Sequence, residues 1–262
     1  MKHITSSDNP FYKSLIKLSG SARQRSDAGQ TLLDGSHLLA SFLSAGKMPL
    51  HVMVTEAALH DPEIQALLAK IPQVPVTRLD HGLFSKLSEL KSLSGILTLI
   101  ELPQGSVTAS SSHFCLLLED IQDPGNLGSM LRSAAAAGCD AVFLSHGCAD
   151  AWSPKVLRAA MGGHFVLGIQ ERADLVQVVS TFPGTCHAAS LQASSSLYQA
   201  PLQGRVAFAI GNEGAGLSAV LLKACTPISI PMPGQVESLN AAAAAAICLF
   251  EAVRQKTAGS RN

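Results

Sequence analysis

The sequence predicts an α/β protein in two parts: a smaller N-terminal α/β domain over 1–103 and a C-terminal domain over 113–262 built on a parallel sheet, with a linker over 104–112. Three observations carry this. Short apolar runs alternate with helical stretches along most of the chain, the pattern of repeated βαβ connections. Phe114–Leu118, FCLLL, and Val206–Ile210, VAFAI, are apolar at every position, as central strands buried on both faces require. Between the parts, LPQGSVTASSSH from Leu102 to His113 is rich in Ser, Thr, Gly and Pro and lacks an apolar period.

In chain order, Asn9-Pro10 opens a helix through Leu18, and Ser19 to Ala28 reads as a polar loop carrying Arg23 and Arg25. Gln30 to Leu33 is the first expected strand. Ser36 caps a helix to Ala45, and strands at Leu50–Val54 and Val74–Thr77 flank a helix at Pro62–Ala69 whose proline takes an allowed early position. A helix at Leu83–Leu90 and a strand at Gly95–Glu101 complete the first part. Past the linker, Asp123-Pro124-Gly125 is turn chemistry, Asn126 is a candidate cap, and Leu127–Ala137 is a helix stopped by Gly138 before a strand at Ala141–Leu144. Ser153-Pro154 starts a helix ending at Gly162-Gly163. Strands at Phe165–Ile169 and Cys186–Ala189 enclose a helix at Ala173–Ser180. After Val206–Ile210 comes a glycine-rich loop, Gly211 to Gly216, and then a short apolar run, Ile228–Ile230. Six consecutive alanines, Ala241 to Ala246, can only be helix, and a slim one able to lie close against a neighbour.

Of 262 residues, 47% are hydrophobic and 15% charged, which excludes disorder and supplies a sizeable core. Lys+Arg and Asp+Glu balance at 19 each, so affinity for nucleic acid has to come from local patches. Residues 1–26 form such a patch, with Lys2, Lys13, Lys17, Arg23 and Arg25 against Asp8 alone. Arg23 and Arg25 are candidates to grip phosphates, the alternative being a solvated surface. The six cysteines make no C-x-x-C pair and the nine histidines no metal-ligand spacing, so no metal is expected. The start of the chain has no apolar leader and no apolar run spans a bilayer, so a soluble cytoplasmic protein is expected.

Three loops, 123–128, 211–216 and 231–238, follow apolar strands, and in an open parallel sheet ligands sit outside the carboxyl ends of the strands. These loops therefore converge, and Asn126, Arg132, Asn212, Glu213, Ser238 and Asn240 are the polar groups they bring. Pro231 and Pro233 remove backbone donors and leave carbonyls free for an adenine-like edge. The glycine loop is neither G-x-G-x-x-G nor a Walker motif, and no G-x-S-x-G elbow occurs.

Taken together, NLGSMLR (Asn126–Arg132), GNEGAGL (Gly211–Leu217) and IPMPGQVESLNAAAAAAI (Ile230–Ile247) resemble, in order and placement, the three motifs of the SpoU/TrmH-type RNA 2′-O-ribose methyltransferases of the SPOUT class. SSDNPFYKSLIKL, the Arg23/Arg25 segment and LLDGSHLL are similar to an N-terminal substrate-binding domain of the L30e/L7Ae kind. The resemblance implies a deep trefoil knot, S-adenosylmethionine as cofactor, a homodimer with the site built partly across the interface, and rRNA as substrate. The alternatives are tRNA, or an inactive RNA-binding factor of the same fold. By motif, Gly211, Ile230, Met232 and Leu239 are expected to touch the cofactor. Asn126, Arg132, Glu213, Ser238 and Asn240 are expected to serve catalysis. Departures from the pattern are SLNAAA where relatives often read S-L-N-V-S-V, His164 where an apolar or small residue is usual, and Asp34-Gly35 where relatives tend to carry Glu-Gly.

Overall fold

The structure is a computed structural model that describes residues 1–88, 90, 92–103 and 107–259. Glu89 of the expected Leu83–Leu90 helix, residues 104–106 of the expected linker and residues 260–262 lie outside the described residues. In chain order the elements are β1 (Lys2–Ile4), α1 (Pro10–Gly20), α2 (Ala22–Ala28), β2 (Gln30–Asp34), α3 (Ser36–Ser44), β3 (His51–Val54), α4 (Pro62–Ala69), β4 (Val76–Leu79), α5 (His81–Leu87) and β5 (Ile96–Glu101). The second half adds β6 (Phe114–Leu118), α6 (Pro124–Ala137), β7 (Ala141–Leu144), α7 (Pro154–Ala160), β8 (Gly168–Gln170), α8 (Leu175–Thr181), β9 (Thr185–Ala189), β10 (Val206–Ile210), α9 (Ala219–Ala224), β11 (Thr226–Ile228) and α10 (Ala241–Gly259). Contacts divide the chain into two units: Met1–Gln104 with Trp152–Phe165, and Gly105–Ala151 with Val166–Asn262.

The first unit has a five-stranded sheet in the order β1-β4-β3-β5-β2. β1, β4 and β3 run parallel, while β5 is antiparallel to both β3 and β2. Its core lies on the two faces of the sheet, with Leu15, Met53, Phe84 and Leu97 on one side and Leu39, Val52, Ile64 and Ile96 on the other. The segment 152–165 also packs on this unit: Thr31 Oγ1 donates to the Trp152 carbonyl at 2.8 Å and Phe165 stacks edge-on against Phe42.

Several expectations need correction here. Ser19 to Ala28 is not a loop, because Ser21 accepts from the Gln24 amide and caps α2. Arg25 lies on that helix, only 5% exposed, with Nη1 donating to the Leu18 and Ser19 carbonyls. Its charge is spent on the chain, and it is withdrawn from the RNA-facing pair, whereas Arg23 stands exposed in an i,i+4 pair with Asp27. Ser36 is the first helical residue of α3, and the cap position belongs to Gly35, at φ 113°. β4 begins at Val76 and not Val74, and α5 starts at His81 because Asp80 caps it. The expected strand Phe165–Ile169 is instead a 3₁₀ turn at Gly163–Phe165 followed by β8, since Phe165 is drawn in against Phe42.

The second unit is a six-stranded, all-parallel sheet in the order β11-β9-β10-β6-β7-β8. β6 and β10 are central and buried at every position. β11, by contrast, is an edge strand with only Ile228 buried, so the turn after it does not follow a buried strand as expected. α10 packs against α6 and β10, and Ala242, Ala245, Cys248, Leu249 and Ala252 are buried along it. Small alanines on that face let the helix axis approach the sheet closely. No helix among the described residues is long and apolar enough to cross a membrane.

Candidate active site

The site lies in the second unit, at the carboxyl ends of β6, β10, β9 and β11. Because these strands are all parallel, the chain leaves each at the same edge. Asp123 accepts from the Asn126 amide at 2.7 Å and so caps α6, which extends back to Pro124. The capping role expected for Asn126 therefore falls to Asp123, and the Asn126 side chain is left for other partners.

It uses both ends. Asn126 Nδ2 donates to Glu213 Oε1 at 2.7 Å, and its Oδ1 accepts from Asn240 Nδ2 at 3.0 Å. The Asn240 Oδ1 in turn accepts from the Ala242 and Ala243 amides at 2.9 and 3.2 Å, capping α10. One chain of three side chains thus ties the first turn of α6 and the loop after β10 to the start of α10. Reciprocal amide bonds of this kind fix which end of each asparagine faces which partner.

The loop after β10 is bent by two of its glycines together with one side chain. Asn212 Oδ1 accepts from the Gly214 and Ala215 amides, and its Nδ2 donates to the Asp120 carbonyl at 2.9 Å. A Cβ on Gly211 would stand 2.3 Å from the Gly216 carbonyl carbon and 2.4 Å from the Leu217 nitrogen, so only glycine fits there. Gly216 adopts the left-handed region at φ 70°. Gly214 has no such constraint. The tight turn that presents Glu213 rests on Gly211, Gly216 and the Asn212 side chain.

Beside this network is a cavity of about 370 Å³. Gly211, Ile230, Met232 and Leu239 all line it, and so do Glu213 and Ser238. Asn126 and Asn240 are not among the lining residues and connect to it only through the bond of Asn126 to Glu213 and their bond to each other. Arg132 is not among the lining residues: it lies farther along α6, exposed, with no hydrogen-bond or ion-pair partner among the described residues.

Sequence reasoning missed two contributors. Ala189, Ser190, Leu191 and Gln192 line the cavity because β9 sits between β10 and β11, a strand order that local pattern does not reveal. Asp120, at φ 55°, receives Asn212 on its carbonyl and Ser145 on its carboxylate, while Glu119 accepts from the amide and hydroxyl of Ser218. The acidic pair directly after an all-apolar strand, FCLLLED, was the available signal.

Residues 113–250 match the model described as the SpoU rRNA Methylase family. The chain is 31% identical to the 23S rRNA (guanosine(2553)-2′-O)-methyltransferase RlmP of Bacillus subtilis, over 95% of this chain and 98% of that one. It is 34% identical to an uncharacterized tRNA/rRNA methyltransferase of Synechocystis, covering 98% and 95%. Among solved structures, an RNA 2′-O ribose methyltransferase superposes with a TM-score of 0.82 at 31% identity, covering 97% and 99%. An AdoMet-bound rRNA methyltransferase from Sinorhizobium meliloti gives 0.83 at 25% identity, covering 97% of each chain.

Proposed function

The chain belongs to the SpoU rRNA methylase family, and on that premise we propose that it transfers a methyl group from S-adenosylmethionine to a ribose 2′-hydroxyl of RNA, with rRNA as the substrate class. The observation that carries the reading is the Glu213–Asn126–Asn240 network beside a cavity lined by Gly211, Ile230, Met232 and Leu239.

The cavity fits the cofactor. About 370 Å³ is within the range of small-molecule sites, and its walls are mainly apolar and backbone. Pro231 and Pro233 carry no amide hydrogen, so the carbonyls of this segment remain as acceptors for an amino edge. Gly211, Ile230, Met232 and Leu239 would hold S-adenosylmethionine, which supplies an electrophilic sulfonium methyl.

A ribose 2′-hydroxyl is a weak nucleophile at neutral pH, so the protein must align it and relieve it of its proton as the new bond forms. Glu213 is locked toward Asn126 and serves to orient the ribose. Ser238, on the same cavity wall, offers a hydroxyl to the incoming sugar. Arg132 carries a permanent charge that neutralises the neighbouring phosphate and the oxyanion developing on the ribose, with that phosphate or another group taking the proton. Its exposure, away from the cavity wall of its own chain, is accounted for by a homodimer in which sites are completed across the interface. The first unit is the RNA substrate-binding part, with Arg23 on its surface, and α10 threads a loop of the second unit as a trefoil knot. Transfer of label from S-adenosylmethionine to bulk rRNA on filters tests the reaction; a wild type that binds the cofactor and labels no RNA contradicts it.

A further inference from the structure

Glu213 stands exposed in a turn with glycines at 211, 214 and 216, so neither side-chain packing nor backbone stiffness holds its carboxylate in place. Hydrogen bonds do, and they reach the turn from the acidic pair Glu119-Asp120 after β6. At the near end Asn212 Nδ2 donates to the Asp120 carbonyl at 2.9 Å, while Asn212 Oδ1 accepts from the Gly214 and Ala215 amides at 2.9 and 3.0 Å. At the far end the Glu119 carboxylate accepts from the amide and the hydroxyl of Ser218, each at 2.7 Å. The Asn212 side chain closes the turn on itself and ties it to the segment after β6 at once, a task that needs a donor and an acceptor on one short group. Asn212 also lines the cavity, but both ends of its amide are engaged by the chain.

The anchor is itself fixed. Asp120 holds the left-handed backbone conformation at φ 55°, which Asp tolerates better than most residues. Its carboxylate accepts from Ser145 Oγ at 2.6 Å, and its amide donates to the same oxygen at 2.9 Å. A Cβ on Gly147 would stand 2.2 Å from Asp120 Oδ1, so glycine there makes room for that carboxylate. A sparsely populated backbone conformation persists only where its surroundings over-determine it, and here it carries the carbonyl that Asn212 binds. Resting on the reading of Glu213 as the group that orients the ribose, we propose that Asn212, anchored by Asp120, is a positioning residue for methyl transfer. It sets the Glu213 carboxylate against Asn126 and acts on the ribose only through Glu213.

Methyl transfer to rRNA by the full-length protein is measured in single turnover for the wild type, Asn212→Ser and Asn212→Asp, each also combined with Glu213→Gln. Serine keeps an uncharged acceptor for the turn amides but is too short to reach the Asp120 carbonyl as well, and aspartate keeps the acceptor and loses the donor. Both are expected to slow transfer by about 10-fold or more, with the protein folded by circular dichroism and S-adenosylmethionine affinity by calorimetry within about twofold. In the Glu213→Gln background the same substitutions are expected to cost no more than about twofold, because residues that act as one unit are not additive. Asp120→Ala weakens the anchor while leaving the Asn212 side chain in place, and is expected to slow transfer too. Asp120→Asn suits the left-handed backbone and still accepts from Ser145, so it is expected to recover most of the rate. Wild-type rates in the Asn212 variants or in Asp120→Ala, or an equal fold loss in both backgrounds, overturn the proposal, as does weakened cofactor binding with an unchanged rate at saturating cofactor. A wild type that labels no RNA contradicts the proposed reaction itself, whereas a labelling wild type with unaffected variants contradicts this inference alone.

Discussion

Asn126 Nδ2 donates to Glu213 Oε1 across 2.7 Å, although 87 positions separate the two residues. The bond joins the first turn of α6, after one central strand, to the loop after the other, and Asn240 extends it to α10. If this contact orients the ribose, then Glu213→Gln, which keeps size but removes charge, should lower kcat by roughly 10²-fold. The cofactor Kd should stay within about twofold, because the four residues assigned to it are untouched. Single-turnover methyl transfer alongside calorimetric binding separates the two effects.

Gly211→Ala should abolish cofactor binding. Its Cβ would meet the backbone of Gly216 and Leu217 at 2.3–2.4 Å, and no flexible side chain is there to give way. The loop must shift, at a stability cost of about 1–3 kcal/mol. Gly234→Ala is the control, since a Cβ there meets nothing within 4 Å. Calorimetric titration with S-adenosylmethionine should show the first variant silent and the second close to wild type.

Arg132→Ala should leave the melting temperature and cofactor affinity unchanged, as the side chain is exposed and has no partner among the described residues. Methyl transfer should fall by 10²-fold or more. Arg132→Lys should recover only part of it, because an ammonium keeps the charge and loses the fork.

Arg25→Ala should cost about 1.5–3 kcal/mol in urea unfolding, since the buried guanidinium is hydrogen-bonded to two carbonyls that would be left short of a donor. Arg23→Ala, at a side chain 87% exposed, should change stability by no more than about 0.5 kcal/mol. In RNA binding the order should reverse for a correctly folded protein: Arg23 contributes and Arg25 does not.

His187 is 3% exposed on β9, and burial pushes its imidazole below the ordinary 6.5, with a backbone contact at Thr226 opposing. The unfolded chain then takes up a proton that the folded chain resists. Stability from this source is full above about pH 6.5 and declines as the pH falls below it, by at most about 1.4 kcal/mol per pH unit for one proton. His187→Phe should flatten that part of the profile, measured as urea midpoints from pH 7.5 downward.

Much of this site was legible because it is written in local chemistry. An all-apolar strand followed by a turn fixes a carboxyl edge, and six alanines fix a slim helix, so Asn126, Glu213 and Asn240 could be brought together without coordinates. What was not legible depended on distant partners. β1 is three residues long and exists because it pairs with β4. α2 carries no apolar stripe, and its helix follows from the Ser21 cap and the burial of Arg25. The Ala189–Gln192 wall depends on β9 lying beside β10, and Phe165 left its expected strand to meet Phe42.

The most direct test of the three-loop site is mass spectrometry of nucleosides from rRNA incubated with the wild type, with Glu213→Gln, and with methyl-labelled S-adenosylmethionine. The predicted result is label on a ribose O2′ with the wild type and about 10²-fold less with the variant. Label found only on a base, or equal O2′ label from both proteins, would contradict it.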